Sequence, residues 1–78
     1  MTARIFLVEV QQFFPKAALR SVSSRLYSAY CREHETFICY SLESRRWLVE
    51  TAYDYLYDDE LANAVGQMSG SSIRSSSL

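Results

Sequence analysis

The sequence predicts a small two-layer α+β domain, and three observations carry that expectation. The chain has 78 residues, room for one domain. It is 49% hydrophobic and 14% aromatic, an apolar load that calls for a packed core. Some segments read as β-branched and aromatic runs, while others repeat apolar residues at steps of three and four, the marks of strand and helix respectively.

The first element is "RIFLVEVQQ", Arg4 to Gln12. Its β-branched and aromatic content predicts a strand, with Phe6, Val8 and Val10 on one face and Ile5, Leu7 and Glu9 on the other. Both faces begin apolar, so the strand is expected to be covered on one side by helices and on the other, near its start, by something else, a second copy of the chain being one option. Pro15 then suits the first turn of a helix. Ala18, Leu19, Val22, Leu26, Ala29 and Tyr30 follow at steps of three and four, which predicts an amphipathic helix through "PKAALRSVSSRLYSAYCRE".

"ETFICYS", Glu35 to Ser41, predicts the second strand. Ser41 and Ser44 are candidate N-caps for a second helix through "RRWLVETAYDYLY", with Val49, Ala52, Tyr53 and Leu56 as its apolar stripe. The phase breaks at Tyr57–Asp58. Asp58 is expected to cap a short last helix carrying Leu61, Ala64, Val65 and Met68, with Gly66 as a stop. The predicted order is therefore β–α–β–α–(α) over residues 1–68. Two strands do not make a stable sheet, so dimerisation or a partner's edge is expected to complete it. The tail, 69–78, is serine-rich and lacks apolar periodicity, which predicts disorder.

Composition narrows the function classes. Net charge is −1, leaving no overall basic field for a phosphate backbone, so direct nucleic-acid binding is not expected. Two cysteines, Cys31 and Cys39, are too few for a disulfide scaffold. The run "IFLVEV" is too short to span a bilayer. These features point to a soluble cytoplasmic protein without a membrane segment.

Catalytic and cofactor chemistry find little purchase. Cys31, His34 and Cys39 lie close together, but a structural zinc site needs four ligands and the chain has no other Cys or His. A nucleophilic serine needs a base held against it, and the one histidine falls in a predicted turn. No glycine-rich phosphate loop is present, since both glycines lie in or beside the tail. The expectation is a protein that is not an enzyme and takes no metal or cofactor.

The unusual stretch is "ETAYDYLYDDEL", Glu50 to Leu61, with three tyrosines and five carboxylates. On a helix, Glu50, Asp54 and Asp58 recur at steps of four and form an acidic stripe, edged by Tyr53 and Tyr57. Tyrosine is enriched in protein interfaces, and carboxylates beside it suit arginine or lysine on a partner. The predicted partner-binding set is Glu50, Tyr53, Asp54, Tyr57, Asp58 and Asp59, facing a protein with a basic surface. The default for such a charge run is a solvated face.

The profile is small, arginine-biased, slightly acidic and free of motifs. It resembles, at the level of class, accessory proteins of phages and mobile elements that occlude a host nucleic-acid-handling machine, anti-CRISPR proteins among them. That resemblance implies inhibition by occlusion; the homodimer is expected separately, from the short chain, its aromatic load and its shortage of strands. The alternative is a small dimeric DNA-binding regulator using Arg25, Arg32, Arg45 and Arg46. The strand-first start is faintly similar to ribbon–helix–helix repressors, but their strand presents polar residues to the major groove, whereas this one reads "IFLVEV".

Overall fold

The computed structural model describes residues 1–68 as a helix, a five-stranded antiparallel sheet and a second helix. The expected disordered tail lies outside the described residues. The elements are α1 (Ala3–Phe13), β1 (Ala18–Val22), β2 (Leu26–Cys31), β3 (Thr36–Ser41), β4 (Arg46–Glu50), β5 (Tyr55–Asp58) and α2 (61–68). The strands form a meander in the order β1-β2-β3-β4-β5.

The α+β class and the two layers match the expectation; the order of elements does not. Arg4 to Gln12 is helix, not strand. Thr2 caps it, its Oγ1 accepting from the Ile5 backbone N–H at 3.2 Å. Pro15 ends it instead of starting the next helix, because the residue before a proline is pushed out of the helical region. A helix lets Phe6 and Val10 share one stripe with Phe14, and all three are buried against the sheet. Val8, on the same side as Phe6 in the strand reading, is 54% exposed. Burial of one stripe outweighs the β-propensity of "IFLVEV".

The predicted helix from Pro15 onward is the β1–β2 hairpin. Its apolar residues satisfy helical steps by coincidence. They are divided by Ser23, whose Oγ accepts from the backbone N–H groups of Arg25 (3.2 Å) and Leu26 (3.0 Å) and closes a turn. The predicted helix from Arg45 to Tyr57 is β4, a turn and β5. There Thr51 does the same service, its Oγ1 accepting from Tyr53 (3.1 Å) and Asp54 (2.8 Å). Ser41, expected to cap a helix, accepts from the Ser44 N–H at 3.2 Å inside the β3–β4 turn.

Two elements fall where expected. The second strand is β3. The last helix follows Asp58, whose Oδ1 accepts from the Glu60 backbone N–H at 3.0 Å and from the Asn63 side-chain amide at 3.2 Å.

Both helices lie on one face of the sheet. Tyr27, Ala29 and Cys31 of β2, Thr36 and Ile38 of β3, and Trp47 and Val49 of β4 are buried beneath them, with Leu61 and Ala64 of α2. Phe6 stacks on Trp47, with ring centroids 5.6 Å apart and planes 12° apart, and packs at a tilt against Tyr27. One chain thus supplies the five strands of its own sheet, which removes the shortage of strands from which dimerisation was expected. The two edges are β1, irregular between Leu19 and Ser21, and β5, only four residues long. Bulges and short strands both discourage edge-to-edge pairing.

Candidate functional site

Because strand residues alternate, half of each strand points away from the helices. The registers align that half in two rows that cross all five strands and a shorter third, Leu26, Ser41 and Arg46, across β2 to β4. Ala18, Tyr30, Phe37, Glu50 and Tyr55 run across the five strands in one; Ser21, Ser28, Cys39, Leu48 and Tyr57 run across in the other. No described element covers this face.

It is rich in aromatic rings. Tyr30 and Phe37 sit side by side, their centroids 4.6 Å apart. The Arg20 guanidinium, from the irregular stretch of β1, lies 4.7 Å from the Phe37 ring centroid, a cation–π contact. Tyr55 and Tyr57 meet edge to face at 5.2 Å and share a hydroxyl–hydroxyl hydrogen bond of 3.0 Å. They are 57% and 53% exposed, which for two adjacent tyrosines is a large wet aromatic area.

The polar groups of the face are few. Cys39 donates to the Ser28 hydroxyl at 3.7 Å, and burial pushes its thiol above the ordinary range. Glu50 takes part in neither of the two ion pairs seen among the described residues, Lys16–Glu33 at 3.7 Å and Arg46–Asp59 at 3.2 Å.

The six residues expected to form one acidic tyrosine surface are dispersed. Glu50 and Tyr57 are on the open face. Tyr53, 96% exposed, and Asp54 lie in the β4–β5 turn. Asp58 points to the helix side, where it caps α2 and its Oδ2 accepts from Gln67 at 3.2 Å; the Glu60 backbone N–H first of all, with donation from Asn63 and Asp59, lowers its carboxyl below the ordinary aspartate value. Asp59 is paired with Arg46. The stripe was built on helical steps of four, and a strand does not place such residues as a turn of helix does. Glu50 and Asp54 are separated by a chain reversal.

The four arginines of the regulator reading are also separated. Arg25 and Arg45 lie in turns at one end of the sheet, Arg32 in the turn at the other, and Arg46 is engaged by Asp59. Cys31 is buried on the helix side, His34 packs edge-on against Phe14 at 5.7 Å, and Cys39 faces the other way. Among the described residues, no group of three His, Cys, Asp or Glu is placed to hold a metal ion.

An open groove of about 440 Å³ lies between the helices, lined by Glu9, Phe13, Tyr40, Trp47 and Glu60 among others. It presents no Ser, Cys, His or Lys side chain; its polar lining is the carboxylates of Glu9, Asp59 and Glu60, with Gln12 and the Tyr40 hydroxyl.

The residues that sequence reasoning missed are Arg20, Tyr30, Phe37, Leu48 and Tyr55. The legible signal was in "ETFICYS", where Phe37 and Cys39 were already on one face opposite Ile38 and Tyr40. The remaining strands were hidden by the helical reading of their neighbours. No protein-family model, curated protein or solved structure matches this chain.

Proposed function

We propose that this chain is a non-enzymatic protein-binding module whose binding surface is the open face of its sheet. The observation that carries the reading is the gathering of Tyr30, Phe37, Leu48, Tyr55 and Tyr57 on one face that no described element covers. Aromatic rings bring large contact area at low entropic cost, and tyrosine hydroxyls tolerate the water that leaves or stays when a partner binds. The sheet beneath is held by four antiparallel pairings, so the surface is preformed and little ordering cost falls on binding.

An aromatic sheet face is also how several single-stranded nucleic-acid binders stack bases. Those proteins surround the rings with a basic groove. Here the central rings meet one guanidinium, that of Arg20, with the Glu50 carboxylate in the same row as the rings, while Arg46 on the same face is paired with Asp59, on a chain of net charge −1. A protein partner fits that balance better.

The test is site-specific photo-crosslinking in the native host cell. A benzophenone residue at Tyr57 should give discrete protein adducts, while the same probe at Ala62, exposed on α2, should not. Absence of any adduct at Tyr57, or adducts only to nucleic acid, overturns the reading.

A further inference from the structure

The open face is asymmetric about its middle strand. On the β1–β2 side it carries Ala18, Ser21 and Ser28, all small, beside Tyr30, with Leu26 at the far end of β2. On the β4–β5 side it carries Leu48, Tyr55 and Tyr57, all large, and the one carboxylate, Glu50. The cation, Arg20, springs from the small side and reaches over Phe37. The β1 edge is low and the β5 edge is high; the cation outside the ion pairs, Arg20, belongs to the low side and the carboxylate outside them, Glu50, to the high side, where Arg46 is already paired with Asp59.

A surface of that kind is complementary to itself. We propose that the open face is the interface of a homodimer, a second copy stacking face to face about a two-fold axis that runs along β3. The proposal rests on the reading of this face as a protein-binding surface and names the partner. Such an axis lays β1 over the partner's β5 and β2 over the partner's β4. Tyr55 and Tyr57 then settle over the partner's Ala18 and Ser21, and Leu48 over the partner's Ser28. The Arg20 guanidinium, held above Phe37, meets the partner's Glu50, which lies opposite Tyr30. Phe37 and Cys39 sit on the axis and face their own counterparts.

Each element of this packing answers something left open in one copy. Glu50 gains a cation, which it lacks among the described residues. The 57% and 53% exposed rings of Tyr55 and Tyr57 are covered. The contact is isologous, so it closes at two copies and leaves no repeating surface. Sheets packed in this way lie about 10 Å apart with strands about 30° from parallel, the geometry of a β-sandwich with helices outside. Five strands about 4.8 Å apart and about five residues long give a flat footprint of about 400 Å² per copy, about 800 Å² in all, the scale of a weak and reversible contact.

The test uses the purified full chain. Light scattering after size exclusion should give twice the chain mass in the micromolar range. Ala18→Arg puts bulk and charge on the small half at a residue exposed in the single copy, so it should raise the dimer dissociation constant by about tenfold or more with the melting curve of the dilute protein unchanged. Cys39 is an independent reporter: its alkylation by N-ethylmaleimide should slow as wild-type concentration rises, and should be independent of concentration in Ala18→Arg. A wild-type monomer throughout the micromolar range overturns the dimer, as does an Ala18→Arg variant that dimerises like wild type. If the chain is monomeric yet the Tyr57 probe captures a different protein in cells, the dimer fails and the protein-binding module stands. If there is neither dimer nor adduct, both fail.

Discussion

The hydroxyls of Tyr55 and Tyr57 lie 3.0 Å apart on the outer surface of β5. Two residues apart on a strand means the same face; on a helix the same two would point some 200° apart. The hydrogen bond is therefore a direct consequence of the strand, and it has a titration signature. It raises the pKa of Tyr55 above the ordinary tyrosine value, because the neutral form is the one that can donate. Tyr57→Phe should bring the Tyr55 ionisation back down in an ultraviolet pH titration. A group whose folded pKa is raised adds stability that is complete below the unfolded value and lost as pH climbs through the folded one. The contribution of this pair should therefore disappear above about pH 10. An unchanged titration in Tyr57→Phe would show that the hydroxyls do not bond in solution.

Asp58 has the opposite sign. Its carboxyl is lowered from 3.8, first by the Glu60 N–H, so its contribution is complete above that value and is lost as pH falls through the lower folded value. Asp58→Asn should lower the melting temperature at neutral pH and flatten the acid limb of the stability curve. A melting temperature that falls equally at every pH would assign the effect to something other than the carboxylate.

Phe6 and Val8 separate the two readings of the first segment. In the observed helix Phe6 is fully buried against Trp47 and Val8 is 54% exposed. Phe6→Ala should cost about 3–5 kcal/mol in urea unfolding, a large share of a small domain's stability. Val8→Ala should stay within about 0.5 kcal/mol. Comparable costs at the two positions would restore the strand.

Glu35 and Arg45 hold φ values of 49° and 58° in the β2–β3 and β3–β4 turns. A side chain in that region is strained by about 1–2 kcal/mol, and glycine is not. Glu35→Gly and Arg45→Gly should each stabilise the fold, by up to about 1 kcal/mol after the extra chain entropy of glycine is subtracted. Thermal denaturation that shows both variants less stable would mean that the two side chains make contacts worth more than the strain.

These two turns also explain why the hairpins were hard to read. Hairpins announce themselves in sequence by Asn-Gly or Asp-Gly pairs. Here the only described glycine is Gly66, and the reversals are made by Ser23, Ser41 and Thr51 hydroxyls and by two strained non-glycine residues. Ser and Thr also sit at helix starts, so Ser41 served equally well as a helix cap in prospect. In the candidate site, Tyr57 and Glu50 lie on the open face, whereas the helical period grouped them with Asp58 and Asp59, which the fold turns to its own use.

What the sequence determined by itself is the size, the α+β class, the strand read over Glu35–Ser41 and the Asp58-led last helix. These rest on composition or on patterns with one physical solution, such as the alternation of Phe37, Ile38, Cys39 and Tyr40. Only the tertiary structure decided between helix and strand for Arg4–Gln12, Ala18–Cys31 and Arg46–Asp58, where local pattern admits both. There the winner is set by non-local burial. α1 exists because Phe6, Val10 and Phe14 need one stripe to lie on Ile38, Trp47 and Val49. The strands exist because pairing in register satisfies their backbone and places Tyr27, Ala29, Trp47 and Val49 under that helix. The same pairing leaves Tyr30, Phe37, Tyr55 and Tyr57 on the other side of the sheet.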